Sequence, residues 1–162
     1  MITCTFENGN VAKPGIRHIT TSNIIIRNGQ VLMCLRGTKN GQPILESGKW
    51  GLLGGFMDRD ETIIQSVQRE VMEESGWEID TPELFRINDY PGRPMEDRQN
   101  VDFIFIAHVT KQIAVHDEEV KELKWFSLDA LPPQDQIAFD HGEDLRFYIE
   151  HLRNPKQLPL LG

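Results

Sequence analysis

"GGFMDRDETIIQSVQREVMEESGW", residues 54–77, decides how the chain is read. Thr62 followed by Gln65 has the form of a capping box, and Gly76 stands where a helix stops, so a helix is predicted over residues 63–75. Ile63, Ile64, Val67 and Val71 recur at helical spacing and supply its apolar stripe. At about 100° per residue, Glu70, Glu73 and Glu74 share one narrow arc at the margin of that stripe. Their carboxylates therefore face the edge of the buried surface, where a cleft can begin, and not the far solvated side.

Such crowding has an ordinary explanation, a solvated Glu-rich helix face tied by i,i+4 ion pairs. Here only Glu73 has a basic partner at that spacing, Arg69. Two carboxylates about 5 Å apart repel by roughly 3 kcal/mol at an effective dielectric of 20, so the cluster calls for a cation or shifted pKa values. Oxygen-only ligands favour Mg²⁺, with Mn²⁺ as a substitute, over zinc.

Outward from this helix, two β-branched runs, residues 19–26 and 30–35, flank Asn28-Gly29, the favoured dipeptide of a tight hairpin. Residues 38–49 are polar, with Gly and Pro, and read as a loop. "VDFIFIAHV" (residues 101–109) is a near-continuous apolar run and predicts a strand buried in a sheet. "ELKWFSLDALPP" reads as a short strand and then a turn or short helix, "DHGEDLRFYIEHLRN" as a final amphipathic helix, and residues 156–162 as a loose tail. Two helices are too few for a doubly wound parallel sheet, so the expected class is α+β, a mixed sheet between helices.

The 162 residues, with no repeat or long linker, suit one domain over 1–162 with an N-terminal extension over 1–17. Seventeen Lys and Arg against 25 Asp and Glu leave a net charge of -8, which opposes non-specific binding to nucleic acid or anionic membranes. Cys4 and Cys34 are too few and too far apart for a disulfide framework or a zinc site. The opening "MITCTFENGN" lacks a signal-peptide pattern, and no run approaches a membrane span, so a cytoplasmic protein is expected.

Gly55, Glu61, Arg69, Glu70, Val71, Glu73, Glu74 and Gly76 match the Nudix hydrolase signature G-x5-E-x7-R-E-U-x-E-E-x-G-U at eight of nine specified positions; Trp77 fills the ninth, usually aliphatic. So many set residues at set separations make a specific signal. The order of the hairpin ending in Arg36, "GKWGLLGG", the late strand and "EEVKELKWFSLDALP" is also similar to that family over about residues 19–150. Leu53 stands where many members carry proline.

The resemblance implies a Nudix-type α/β/α sandwich that hydrolyses, with Mg²⁺, a small-molecule nucleoside diphosphate linked to a second group. Glu70, Glu73 and Glu74 are then metal ligands, with Glu61 as an outer ligand or, alternatively, a helix N-terminal charge. Arg69 is expected to point away from the three carboxylates and to orient the loop by an ion pair. Counting back from Trp125 gives Glu119 as the expected general base, with Asp117, Glu118 and Glu122 as rivals.

Gly54 and Gly55 are expected to form a turn that lets backbone approach metals or phosphates. Arg36 and Arg98 rank above Lys49 and Arg93 for phosphate, and Tyr90, Phe85 and Trp50 are candidates to stack on a base. The five histidines form no ligand pattern. Pro91 and Pro94 fall near the proline that family members acting on ADP-ribose carry after the box, so ADP-ribose or a related nucleotide sugar is the expected substrate. A hydrolase of canonical or oxidised nucleoside triphosphates is the alternative, and a non-catalytic nucleotide-sensing module a third reading. Members acting on ADP-ribose often form homodimers, and residues 1–17 are a candidate interface strand.

Overall fold

The computed structural model of the chain describes residues 17–93 and 100–162. The proposed interface strand (except Arg17), Pro94 and Arg98 lie outside the described residues.

The first hairpin follows its turn signal. Strands β1 (Ile19–Arg27) and β2 (Gln30–Arg36) pair antiparallel across Asn28 and Gly29, both at positive φ (51° and 75°), as a type I′ turn requires. Residues 38–49, read as a loop, carry a second hairpin: β3 (Thr38–Lys39) and β4 (Gln42–Pro43) turn at Asn40-Gly41, again with positive φ. The same dipeptide was the available signal there, but the exposed polar flanks masked it.

Helix α1 spans Ile63–Ser75 with both halves of the capping box formed and Gly76 in the left-handed conformation. After β5 (Trp50–Gly51), β6 (Trp77–Ile79) and β7 (Glu83–Asn88) come β8 (Val101–Gln112), β9 (Val120–Ser127), a 3₁₀ turn at Gln134–Gln136 and helix α2 (His141–Arg153). β8 lies parallel to β1 and antiparallel to β7, at the centre of a mixed sheet that has eight strands among the described residues. Residues 156–162 are not a loose tail throughout. Leu160–Leu161 forms β10, parallel to β7, and Arg86 Nε donates to the Gly162 carbonyl at 2.8 Å.

Strand alternation divides the core. Ile24, Ile26, Val31 and Met33 pack with Leu145 and Tyr148 of α2, whereas Ile25, Leu32 and Cys34 pack with Val71 of α1. Leu53, in the proline's place, is fully buried on the α1 side. The sheet is thus covered by one helix on each face, as expected for an α+β sandwich. No helix among the described residues is long and apolar enough to cross a membrane.

Candidate active site

The stretch after β5 does not form a turn. It runs extended beside β1, with the Asn23 amide donating to the Leu53 carbonyl at 2.8 Å and the Thr21 amide to the Gly55 carbonyl at 2.9 Å. Gly54 adopts φ 148°, and a Cβ there would stand 1.9 Å from the Thr21 carbonyl oxygen, so only glycine fits. The glycine pair therefore lies in the sheet, accessible from both faces.

On the α1 face, the Gly54 amide donates to Glu74 Oε2 at 2.7 Å. Glu74 is 7% exposed, and burial, with the charge of Glu70 beside it, pushes its carboxyl up to about 8. Glu70 is also raised by burial, and the charge of Glu119 adds to that push. Glu73 is half exposed.

Arg69 does not point away from these carboxylates. Its Nη1 donates to Glu70 at 2.8 Å and to Glu73 at 3.2 Å, its Nε and Nη2 to Glu61 at 3.0 and 2.7 Å, and its Nη2 to the Phe56 carbonyl at 3.1 Å. A long side chain at mid-helix reaches forward to Glu73 and back to Glu61, which wheel geometry alone does not show. The hydrogen bonds from Arg69 hold Glu61 near 2.

The loop before β9 docks on α1 through the Asp117 amide, which donates to the Glu73 carbonyl at 3.0 Å. It brings Glu119 toward the acidic turn, where Lys39 from the small hairpin pairs with it at 2.6 Å. Glu118 accepts from the Asn40 amide, and Glu122 lies out on β9 opposite Leu35.

Among the described residues, no three acidic, histidine or cysteine side chains are already gathered into a metal-holding arrangement. The surroundings nonetheless fit a hard cation. The donors are carboxylate oxygens, the space above Glu70 is kept open by a glycine whose Cβ would stand 2.7 Å from Oε1, and burial raises both Glu70 and Glu74.

A cleft of about 130 Å³ opens on the other face, beneath α2, lined by the same two glycines with Arg36, Phe56, Phe139 and His141. Arg36 donates from Nε to the Leu45 carbonyl and stacks on Phe139 at 5.0 Å. Tyr90 is not brought here: it is 62% exposed and lines a separate groove with Pro91 and Phe147. Phe85 is core, Trp50 packs on Phe126, and Lys49 pairs with Glu46. Sequence reading missed Ser22, Asp102 and His141 in the cleft wall, and Asp140, which pairs with Arg93 there. The one carboxylate within the apolar run of β8, Asp102, was the signal to follow.

A NUDIX domain model matches residues 17–146. The chain belongs to the NUDIX domain family. Its Nudix segment is 29% identical over 110 residues to a protein named NAD-capped RNA hydrolase NudC from Pseudomonas aeruginosa, covering 68% of this chain and 36% of that protein. The chain thus spans about a third of that relative's length. It is 28% identical over 131 residues to an ADP-ribose pyrophosphatase from Methanocaldococcus jannaschii, covering 81% of this chain and 72% of that protein. In fold it is similar to a Nudix hydrolase from Nitrosomonas europaea, with TM-score 0.77 and 22% identity over 99% of this chain and 92% of the other.

Proposed function

We propose that this Nudix domain is a divalent-metal-dependent hydrolase that cleaves the diphosphate of a nucleoside diphosphate joined to a second group, with ADP-ribose or a related nucleotide sugar as substrate. One observation carries this: Gly54 and Gly55 touch the carboxylates of Glu74, buried, and Glu70, largely buried, on one face and line a cleft on the other. A diphosphate crossing the glycine pair meets the acidic turn while its nucleoside enters the cleft. The similarity to the archaeal ADP-ribose pyrophosphatase supports the substrate class.

In this reading Glu70, Glu73 and Glu74 hold Mg²⁺ or Mn²⁺, and Glu61 stands behind them, oriented by Arg69. The bound metal supplies charge neutralisation and Lewis acidity at phosphorus. Glu119 accepts a proton from the attacking water as the new P–O bond forms. The bridging P–O bond breaks, and the two phosphate monoesters leave. Arg36, from β2, approaches the substrate from the cleft side.

The test is a hydrolysis screen with Mg²⁺, Mn²⁺ or chelator across ADP-ribose, other nucleotide sugars, dinucleotides and nucleoside triphosphates. The expected result is AMP and ribose 5-phosphate from ADP-ribose, abolished by chelator. Pyrophosphate release from triphosphates, with no turnover of diphosphate-linked nucleotides, would select the alternative substrate class.

A further inference from the structure

The cleft beneath α2 has a built floor. Arg93 is almost wholly buried and donates from Nε and Nη2 to Asp140 at 2.8 Å each, and from Nη2 to Asp102 at 3.3 Å. Asp102 also accepts from Thr20 Oγ1 at 2.9 Å and Ser22 Oγ at 2.7 Å, and Asp140 from Asn88 Nδ2 at 2.8 Å. The Leu52 amide donates to His141 Nδ1 at 3.0 Å, which leaves the proton of the neutral ring on Nε2, facing Ser22 at 3.5 Å. All four carboxylate oxygens of Asp102 and Asp140 have partners. Among the described residues of this lining, Arg93 Nη1 is a charged donor that is buried with no partner, and the Thr21 hydroxyl is a neutral one.

A buried donor without an acceptor is costly, so a ligand that supplies the acceptor gains what the free protein lacks. Charge narrows the acceptor. One guanidinium faces two carboxylates here, which disfavours a phosphate at Nη1 and favours a neutral oxygen or ring nitrogen. Shape narrows it further, because two aromatic rings, Phe56 and Phe139, line the cleft, with the Arg36 guanidinium over Phe139 at 5.0 Å, and such a lining suits a planar ring.

We propose that Arg93 is a specificity-determining residue: its Nη1 donates to a ring-nitrogen or carbonyl acceptor of the substrate's nucleobase, held in the cleft between Phe56, Phe139 and the Asp102–Asp140 floor. The assignment rests on the nucleotide reading given above, and it gives the buried arginine a base-reading role in place of phosphate binding. The Asp140 pair keeps the guanidinium rigid, so little entropy is lost when the acceptor arrives.

Uncharged nucleosides test this apart from catalysis. In calorimetric titrations of the full chain, adenosine and inosine are expected to bind about tenfold or more tightly than indole ribonucleoside, which is flat but has no base acceptor. Arg93→Lys, which retains a cation opposite Asp140, is expected to erase that preference while leaving the affinity for indole ribonucleoside unchanged. Equal binding of all three by the unmodified chain, no nucleoside binding at millimolar concentration, or a preference that persists in Arg93→Lys would overturn the assignment. If the variant does not fold, the wild-type ranking alone decides. A base preference without turnover of any nucleotide would sink the hydrolase reading and leave Arg93's role standing.

Discussion

Gly55 and Glu70 meet so closely that a Cβ on the glycine would stand 2.7 Å from Glu70 Oε1 and 2.9 Å from its Cδ. An added methyl must displace the carboxylate, since the backbone on its other side is bonded to β1. Gly55→Ala is therefore expected to lower kcat/KM by about tenfold to a hundredfold, because small misplacements of catalytic groups cost that much. The metal concentration for half-maximal activity should rise in parallel. Steady-state kinetics against Mg²⁺ check both, and unchanged values would show that Glu70 is not a metal ligand.

Arg69 is the hub of the acidic turn, and its removal leaves Glu61 and Glu70, 12% and 13% exposed, without their cation. Breaking a buried pair costs up to several kcal/mol, and the partial exposure of Arg69 reduces this to about 2 kcal/mol for Arg69→Ala. In a chain of this length that lowers Tm by roughly 4–8 °C, measurable by calorimetry. A Tm equal to wild type would mean that the pairs contribute nothing to stability.

Glu119 sits beside the acidic turn but outside α1, paired to Lys39 at 2.6 Å. Glu119→Gln is expected to reduce kcat about a hundredfold or more while leaving metal affinity unchanged. Lys39→Ala removes an exposed pair, so its effect on Tm should be negligible. Near-normal turnover in Glu119→Gln would move the base to Asp117 or Glu118 on the same loop.

His141 is buried, and that burial lowers its pKa to about 4, while the unfolded chain titrates near 6.5. Between those values only the unfolded chain takes up the proton. Stability from this group is therefore complete above pH 6.5 and is lost as pH falls toward 4, by about 3 kcal/mol in all. Urea denaturation from pH 7.5 to 4.5 should show this decline, and His141→Gln should lack it when the two curves are subtracted. Parallel curves would exclude His141 as the source.

The helix, the first hairpin and the box spacing were legible because each depends on neighbours in the chain. Thr62 and Gln65 close a cap three residues apart, Asn28-Gly29 supplies its own positive φ, and Glu70, Glu73 and Glu74 share an arc by helical geometry alone. Arg69 was harder to read. Its partners at one, four and eight residues' distance compete for a single guanidinium, and only the path of the loop carrying Phe56 and Glu61 settles where it turns.

By itself, the sequence determined the α1 boundaries, the acidic turn and, through eight of nine spaced positions, the family. Tertiary structure alone decided where Gly54 and Gly55 lie, that Tyr90 faces another groove, and that Leu160–Leu161 joins the sheet. It also decided the cleft wall, where Ser22 meets Asp102 across 80 positions and His141 across 119. Contacts at such separations leave no periodicity in the sequence: they arise when a parallel strand pair and a covering helix bring distant polar groups out of water, where each must find a partner.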